Sequence, residues 1–309
     1  MRKLTTSLCV LATVGAGATA VAGCGGDEAG GLDVAKAAAA TEQKGTARIA
    51  LKTTVEGAGL PLPLDIKGKG VTSLKSSEGK ITLDLGPLLG LAGAPQGTPG
   101  GLELRFKAAT VYVKPPKLQQ LKVPGGKPWV SLELPKVAAA LGLPTKGLGK
   151  LFTLEPAAQL RALKAAKGLK EVGKETVGGA QTTHYRGTYK LSDFVATLPA
   201  GERRDAEQAI KKLNELSAGS QTNVDEPIPA DLWVDKDGVT RRLTATTKLP
   251  AQKGQPAGKL KQSYELSDFG VALDAAPPAA AETFDATDAL SGALSQLATA
   301  GAGRSSTTP

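Results

Sequence analysis

The amino-acid sequence predicts an α+β protein in which helices cover the apolar face of an antiparallel β-sheet. Three observations carry this expectation. Segments of strict apolar/polar alternation recur along most of the chain, and a strand with one wet and one apolar face is the signature of an antiparallel sheet. Between them lie stretches whose apolar residues recur at helical spacing. The 309 residues are 41% hydrophobic and include 38 Gly and 20 Pro, enough for a buried core and for many chain reversals.

The first residues set the compartment. Met1-Arg2-Lys3 is a short positive start, and residues 8–22 form an apolar run too short and too rich in Gly and Ala for a permanent membrane span. Residues 1–23 therefore read as an export signal. The run ends in Val21-Ala22-Gly23-Cys24, followed by Gly25-Gly26-Asp27-Glu28. Small residues before a cysteine at this distance resemble the lipobox of bacterial lipoproteins, in which the Cys24 sulfur receives a diacylglyceryl group and the chain is cut before it. Each buried CH₂ of an acyl chain contributes about 0.8 kcal/mol, so two chains give stable anchoring where one does not. An ordinary secretory peptide with an incidental Cys is the alternative. The expected location is the extracytoplasmic face of the cell membrane, with residues 24–32 as a flexible tether. Cys9 leaves with the signal, so the mature fold has no thiol for a disulfide or a metal.

Residues 33–44 read as a helix with Asp33 as its cap and an Ala-rich interior. The spacing then changes to a period of two. Ile49, Leu51, Thr53 and Val55 alternate with Arg48, Lys52, Thr54 and Glu56. Residues 65–71 place Ile66 opposite Lys67 and Lys69, and Ile81, Leu83 and Leu85 face away from Lys80, Thr82 and Asp84. Leu102, Leu104 and Phe106 oppose Glu103, Arg105 and Lys107. Residues 110–114, with Val111 and Val113 on one side, and residues 129–134 complete the first set of strands. Residues 135–141 and 156–169 read as helices, the second with Leu160, Leu163 and Ala166 in a stripe suited to covering a sheet and with Arg161, Lys164 and Lys167 in water.

The second half repeats this program. Residues 170–177 and 182–189 are strands around a Gly178-Gly179 turn, and residues 202–217 form a charged helix with Ala206, Ala209, Ile210 and Leu213 inward. Strands over 231–234 and 239–249 flank Asp235-Lys236-Asp237-Gly238, and a last strand spans 259–266. Tyr189-Lys190-Leu191-Ser192-Asp193-Phe194 is echoed by Tyr264-Glu265-Leu266-Ser267-Asp268-Phe269, which reads as two strands that end alike. From residue 275 the chain is an Ala/Thr/Ser/Pro-rich tail, expected to be disordered apart from a marginal helix over 288–298. Residues 33–274 make one domain, since no linker divides them.

Catalytic chemistry finds little support. The chain holds one His, and His184, between Thr183 and Tyr185 in a strand pattern, reads as an exposed sheet residue. No triad can be built without a second His. Asp235-Lys236-Asp237-Gly238 opens like a calcium loop but lacks its later ligands, whereas Asp-Gly between alternating runs is a hairpin turn. No metal or cofactor is expected, and the protein is not expected to be an enzyme. The net charge of +9 suits an anionic envelope, because export removes the chain from nucleic acid and no recognition helix or aromatic platform appears. Residues 86–101 put Leu88, Leu89 and Leu91 in a Gly/Pro-rich loop where polar residues belong. They read either as a mouth or lid touching lipid or as a loop folded back on the core.

The lipobox, the Ala-rich first helix, the alternating strands and the segment Asp231-Leu232-Trp233-Val234-Asp235-Lys236-Asp237-Gly238-Val239-Thr240-Arg241-Arg242-Leu243 together resemble the LppX/LprG family of actinobacterial envelope lipoproteins, related in fold to the carriers LolA and LolB. The resemblance covers residues 33–274. It implies a strongly curved antiparallel β half-barrel, helices packed on its concave face, and an apolar cavity that holds acyl chains of lipids or glycolipids without covalent chemistry. A one-faced sheet must hide its apolar side, and loosely packed helices leave room for such chains. The expected cavity wall is Ile49, Leu51, Val55, Ile66, Leu83, Leu104, Phe106, Val111, Val113, Leu232, Leu243 and Tyr264. The expected partners are the membrane, through the N-terminal anchor, an acyl lipid or glycolipid, and an envelope lipid transporter that loads or empties the cavity. The competing reading is a structural or interaction lipoprotein whose concavity is filled by its own side chains.

Mass analysis of the protein recovered from its host membrane should show a mature chain beginning at diacylated Cys24. C24S should move the protein out of the membrane fraction, and an unmodified Cys24 would contradict the lipobox reading.

Overall fold

The computed structural model describes residues 33–95, 97–116, 123–144, 167–216, 223–251 and 256–302. Cys24, the signal and the tether lie outside these residues, as does most of the helix expected over 156–169. Its last residues, 167–169, instead open a strand.

The order of elements is α1 (Val34–Gln43), β1 (Thr46–Gly57), β2 (Leu64–Ser73), β3 (Gly79–Asp84), α2 (Gly86–Leu91), β4 (Gly101–Lys107), β5 (Thr110–Lys114), β6 (Trp129–Glu133), α3 (Leu134–Ala140), β7 (Lys167–Val177), β8 (Ala180–Tyr189), α4 (Leu191–Thr197), α5 (Ala200–Leu216), β9 (Ile228–Asp235), β10 (Thr240–Leu249), β11 (Gly258–Ser267), β12 (Thr283–Asp285) and α6 (Thr287–Ala302). All described strands join one open sheet in the order β12-β6-β5-β4-β3-β2-β1-β11-β10-β9-β8-β7, the mostly antiparallel sheet that the alternation predicts, consistent with the half-barrel that the resemblance implies. Every pairing is antiparallel except β12 with β6.

Register keeps the apolar residues of successive strands in phase. Ile49 lies opposite Gly70 on one side and Leu266 on the other. Ile81 faces Leu104, Leu104 faces Val113, and Val113 faces Val130. In the other direction Leu51 faces Tyr264, Tyr264 faces Leu243, Leu243 faces Leu232, and Leu232 faces Tyr185. Because side chains alternate with a period of two, a slip of one residue anywhere would send a whole strand's apolar set into water. The outcome is a single apolar face spanning the sheet, called the inner face below.

Helix α1 lies on this face. Its Val34, Ala37 and Ala38 pack with Leu169, Ala230, Leu232, Val234 and Leu243, and small alanines let the helix sit close to the strands. The Asp33 carboxylate accepts the Lys36 N–H at 3.0 Å and caps the helix. At the other end Thr41 Oγ1 donates to the Ala37 carbonyl at 2.6 Å and accepts the Thr240 N–H at 2.9 Å, which ties the helix to β10. The turn after β9 is the expected hairpin. Gly238 has φ of 75°, and Asp235 Oδ1 accepts the N–H groups of Asp237 and Val239, each at 2.9 Å. Its Oδ2 takes the Arg241 guanidinium at 2.7 Å.

Residues 275–302 depart from the expected tail. Thr283–Asp285 adds a parallel strand to β6, and α6 packs on α3, with the Ser295 hydroxyl donating to the Ala140 carbonyl at 3.2 Å. Thr287 is fully buried, and its hydroxyl accepts the Glu133 N–H at 3.1 Å. The Ala/Thr composition that suggests disorder thus supplies small side chains that fit between two helices and a strand. Arg105 pins the approach to this segment by donating to the Ala276 carbonyl at 2.9 Å while stacking 4.6 Å over Trp129.

The repeated hexapeptide also diverges. After Tyr189 the chain turns into α4, where Phe194 is buried among Val195, Leu198 and Ala206. After Tyr264 the strand runs on through Ser267, Asp268 takes φ of 44°, and Phe269 packs against the sheet core.

Gly70 marks a place where β3 approaches β2 too closely for a side chain. A Cβ there would overlap the Lys80 carbonyl and lie 2.8 Å from the Ile81 Cα. Gly70→Ala should lower the thermal midpoint far more than Gly90→Ala, whose added methyl meets nothing within 4 Å; equal midpoints would contradict the register described here. Burial pushes the Glu103 carboxyl up, but Arg105 at 3.0 Å and Lys80 at 3.3 Å outweigh it and hold the group below its ordinary value of 4.5. A depressed native value means that Glu103 stabilises the fold above pH 4.5 and that this contribution is lost as pH falls below it. Acid unfolding of Glu103→Gln should accordingly be less steep than that of the parent, measured by circular dichroism.

Candidate functional site: the inner face and a cleft at its rim

All twelve residues expected to form the cavity wall lie on strands, and register places them on the inner face. Ile49, Leu104, Leu232, Leu243 and Tyr264 are buried. Leu51, Val55, Ile66, Leu83, Phe106, Val111 and Val113 are only half-buried. The apolar face is therefore tightly packed where α1 covers β9 and β10, and less so across β1 to β5. Gly68 carries no side chain between Leu51 and Leu83, whose methyl groups close over it and occupy the space a Cβ would take.

The strands have two ends. One, the rim, holds the β1–β2 hairpin tip, α2, the first residues of β4 and β9, and the β10–β11 hairpin, whose Ala257 carbonyl accepts the Ala58 N–H at 3.1 Å. At this rim lies a cleft of about 670 Å³. Its apolar lining is Leu191, Pro227, Ile228, Leu249, Pro250 and Ala257, and its polar lining includes Glu56, Glu226, Thr246, Thr247, Lys248 and Lys259. None of the twelve expected wall residues lines it. Ile228 and Leu249 nevertheless belong to the inner face, since they continue the phase of Ala230, Leu232, Ala245 and Leu243. The cleft thus wraps the rim of the sheet, with inner-face Ile228, Thr247 and Leu249 beside outer-face Glu56, Thr246, Lys248 and Lys259, and with Lys248 and Glu226 paired at 2.7 Å. Ile228 sits between two prolines, which hid its strand alternation in the sequence, and Leu191 lies on a helix that the spacing did not reveal.

Leu88 and Leu91 are exposed and Leu89 is half-buried on α2, a short helix where a loop was expected. Leu88 and Leu91 point into solvent while Leu89 turns partly inward, so both readings of this segment stay open. A second hollow of about 720 Å³ lies along α4 and α5, between Val195, Ile210 and the charged Arg203, Glu207 and Lys211.

The outer face is largely polar, but several of its residues are buried, among them Trp129, Trp233 and His184. His184 is 7% exposed rather than solvated as expected. Its ring stacks on Trp233, with centroids 4.1 Å apart and planes 12° from parallel, and the Arg242 guanidinium covers the same indole at 5.3 Å. The imidazole nitrogens meet Glu175 at 3.0 Å and Asp231 at 2.7 Å. Arg186 adds a second contact to Asp231 at 2.7 Å, and Arg242 pairs with Glu265 at 2.8 Å. These side chains run across β7 to β11 as a cross-strand ladder that ties the β7 edge to the sheet centre. Among the described residues no group of three or more His, Cys, Asp and Glu is arranged to hold a metal ion. No described helix is long and apolar enough to cross a membrane.

No protein-family model matches the chain. A curated relative from Streptomyces griseus, described as an uncharacterized 31.2 kDa protein in the rplA-rplJ intergenic region, is 28% identical over 165 residues, covering 52% of this chain and 49% of the relative. The chain thus spans about half the length of the curated relative it matches. Among solved structures, the Mycobacterium tuberculosis lipoprotein LppX is similar over 79% of this chain and 96% of its own, with 14% identity and a TM-score of 0.42. LprF from Mycobacterium bovis is similar over 80% and 97%, with 14% identity and a TM-score of 0.38. A LolA superfamily protein from Nitrosomonas europaea is similar over 79% and 96%, with 8% identity and a TM-score of 0.28.

His184→Ala removes the stacked ring and leaves Asp231 and Glu175 without their shared partner. Denaturant unfolding should show a loss of about 1–3 kcal/mol, while the exposed Lys236→Ala should change stability by less than about 0.5 kcal/mol.

Proposed function

We propose that this chain is a lipid-anchored envelope lipoprotein that holds the acyl chains of a lipid or glycolipid non-covalently against the inner face, and that it carries them between the membrane and an envelope partner. One observation carries the reading: an apolar face continuous across the sheet is only half-buried over much of β1 to β5, and a largely apolar cleft with charged residues lies at the rim where β9, β10 and β11 end or begin. Each methylene moved from water onto such a wall contributes about 0.8 kcal/mol. An acyl chain therefore gains affinity along its length without any directed polar contact. The polar groups sit where a headgroup would stay in water, at Glu56, Glu226, Thr246, Lys248 and Lys259. Nothing in this mechanism needs a nucleophile or a general base, which agrees with the placement of the one His in a structural ladder on the other face.

Native mass spectrometry of the full chain purified from its host membranes, followed by solvent extraction, tests the proposal. A stoichiometric acyl lipid is expected. Val113→Asp and Leu249→Trp, one charging the half-buried wall and one filling the cleft, should each lower bound lipid more than tenfold relative to the parent, because an unpaired buried charge and a lost apolar volume both oppose the chain. Recovery of the parent protein without stoichiometric lipid would overturn the reading.

A further inference from the structure

We infer that the rim end of the sheet is a docking surface for an anionic lipid bilayer, with the β1–β2 hairpin tip and α2 entering the headgroup boundary and the lysines of β2 and β11 lying over lipid phosphates. Leu62 is 76% exposed and Leu91 54%. Both belong to rim connections, and Leu88 joins them from α2. Three large apolar side chains at one end of a sheet, on two separate connections, form the kind of patch that calls for a partner.

The chemistry of the tip selects a bilayer. It reads Leu60-Pro61-Leu62-Pro63-Leu64. Pro61 and Pro63 have no N–H, and the Leu60 N–H donates to the Gly57 carbonyl at 2.9 Å. Few backbone donors remain to be stripped of water, which is the main cost of placing irregular backbone in an apolar boundary. Fixed proline dihedrals also limit the chain entropy lost when the tip is held.

Charge points the same way. On the outer face Lys52 lies directly opposite Lys67, and Lys248 opposite Lys259, pairings that cost stability unless something anionic compensates them. Lys52 has Asp65 at 2.9 Å and Lys248 has Glu226 at 2.7 Å. Lys67, Lys69, Lys259 and Lys261 are exposed; on their other sides Lys67 lies opposite Asp84 and Lys259 opposite Glu56, whereas Lys69, between Ala50 and Thr82, and Lys261, between Thr54 and Thr246, have no carboxylate beside them in register. All four lie on strands that end or begin at the rim. A cationic band behind an apolar tip is the arrangement by which peripheral proteins combine insertion with attraction to anionic lipid. The turn at the opposite end of β9 and β10 has neither feature: Lys236 there pairs with Asp237 at 2.8 Å.

Hydrogen–deuterium exchange of the full-length C24S chain, which lacks the acyl anchor, with and without vesicles of phosphatidylglycerol and phosphatidylcholine, tests this directly. Anionic vesicles should slow exchange in residues 58–64 and 86–95 and leave residues 235–239 unchanged. Vesicles of phosphatidylcholine alone, or 1 M salt as a probe of screening, should restore most of the exchange. Leu62→Asp should abolish protection of the tip. The combined change K67E, K69E, K259E and K261E should weaken vesicle binding at least tenfold, with the melting temperature reporting that each variant is folded. Protection of 235–239 instead of the rim, protection that ignores lipid charge, or protection that rises with protein concentration in the absence of vesicles would overturn the proposal, the last by identifying a second copy of the chain as the occupant. Exchange reads the rim and lipid extraction reads the inner face, so the two proposals fail separately.

Discussion

In-phase alternation across the sheet is the constraint on which the rest of this structure depends. Each strand contributes a few apolar residues on alternate positions, and no single strand contributes enough to stabilise anything by itself. Stability comes from register: Leu51 beside Tyr264, Tyr264 beside Leu243 and Leu243 beside Leu232 build one apolar surface out of four separate segments. The sheet's inner face is at once its core and its candidate binding wall. Burial grades from Leu232 at 1% exposed to the half-buried Leu51, Leu83 and Val113, so packing and site are two regions of one surface rather than separate structures.

The outer face solves a different problem. The strands that α1 covers on the inner face also need cross-strand contacts on the face it does not cover. The ladder from Glu175 through His184, Trp233 and Arg242 to Glu265 supplies them with stacked rings and paired charges. Nearer the rim the same face carries the facing pairs Lys52–Lys67 and Lys248–Lys259, each with carboxylates beside it, together with Lys69 and Lys261, which have none in register.

The helices are placed by what the strands leave uncovered. α1 offers alanines where β9 and β10 come close, and its Thr41 closes a hydrogen-bond path to Thr240. α3 and α6 pack against each other and against β6 at the far edge, where the three-residue β12 adds backbone pairing. α4 and α5 instead share a small apolar cluster of their own around Phe194, Leu198 and Ala206. This places their packing apart from the sheet core while Leu191 reaches the cleft.

The strands were legible in the sequence because a period of two survives without tertiary context: Ile49 to Val55, Leu102 to Phe106 and the Asp235–Gly238 turn follow from side-chain alternation and turn chemistry alone. Which residues turn to the apolar face was also legible, since a one-faced sheet must cover its apolar residues. The rim cleft was not, because Ile228 is masked by flanking prolines and Leu191 by a helix that begins inside a repeated hexapeptide. That hexapeptide shows where local information stops. Its two copies differ at one position, Lys190 against Glu265, yet one turns into a helix and the other continues a strand, because Leu266 has the β1 ladder to pair with whereas Leu191 has left the β9 ladder, which ends at Ile228. His184 and the segment after residue 275 tell the same story. The sequence by itself determined the alternation, the turns and the inward set of apolar residues, whereas partners distant along the chain decided which polar residue is buried, which Ala/Thr-rich segment folds and where the apolar face opens.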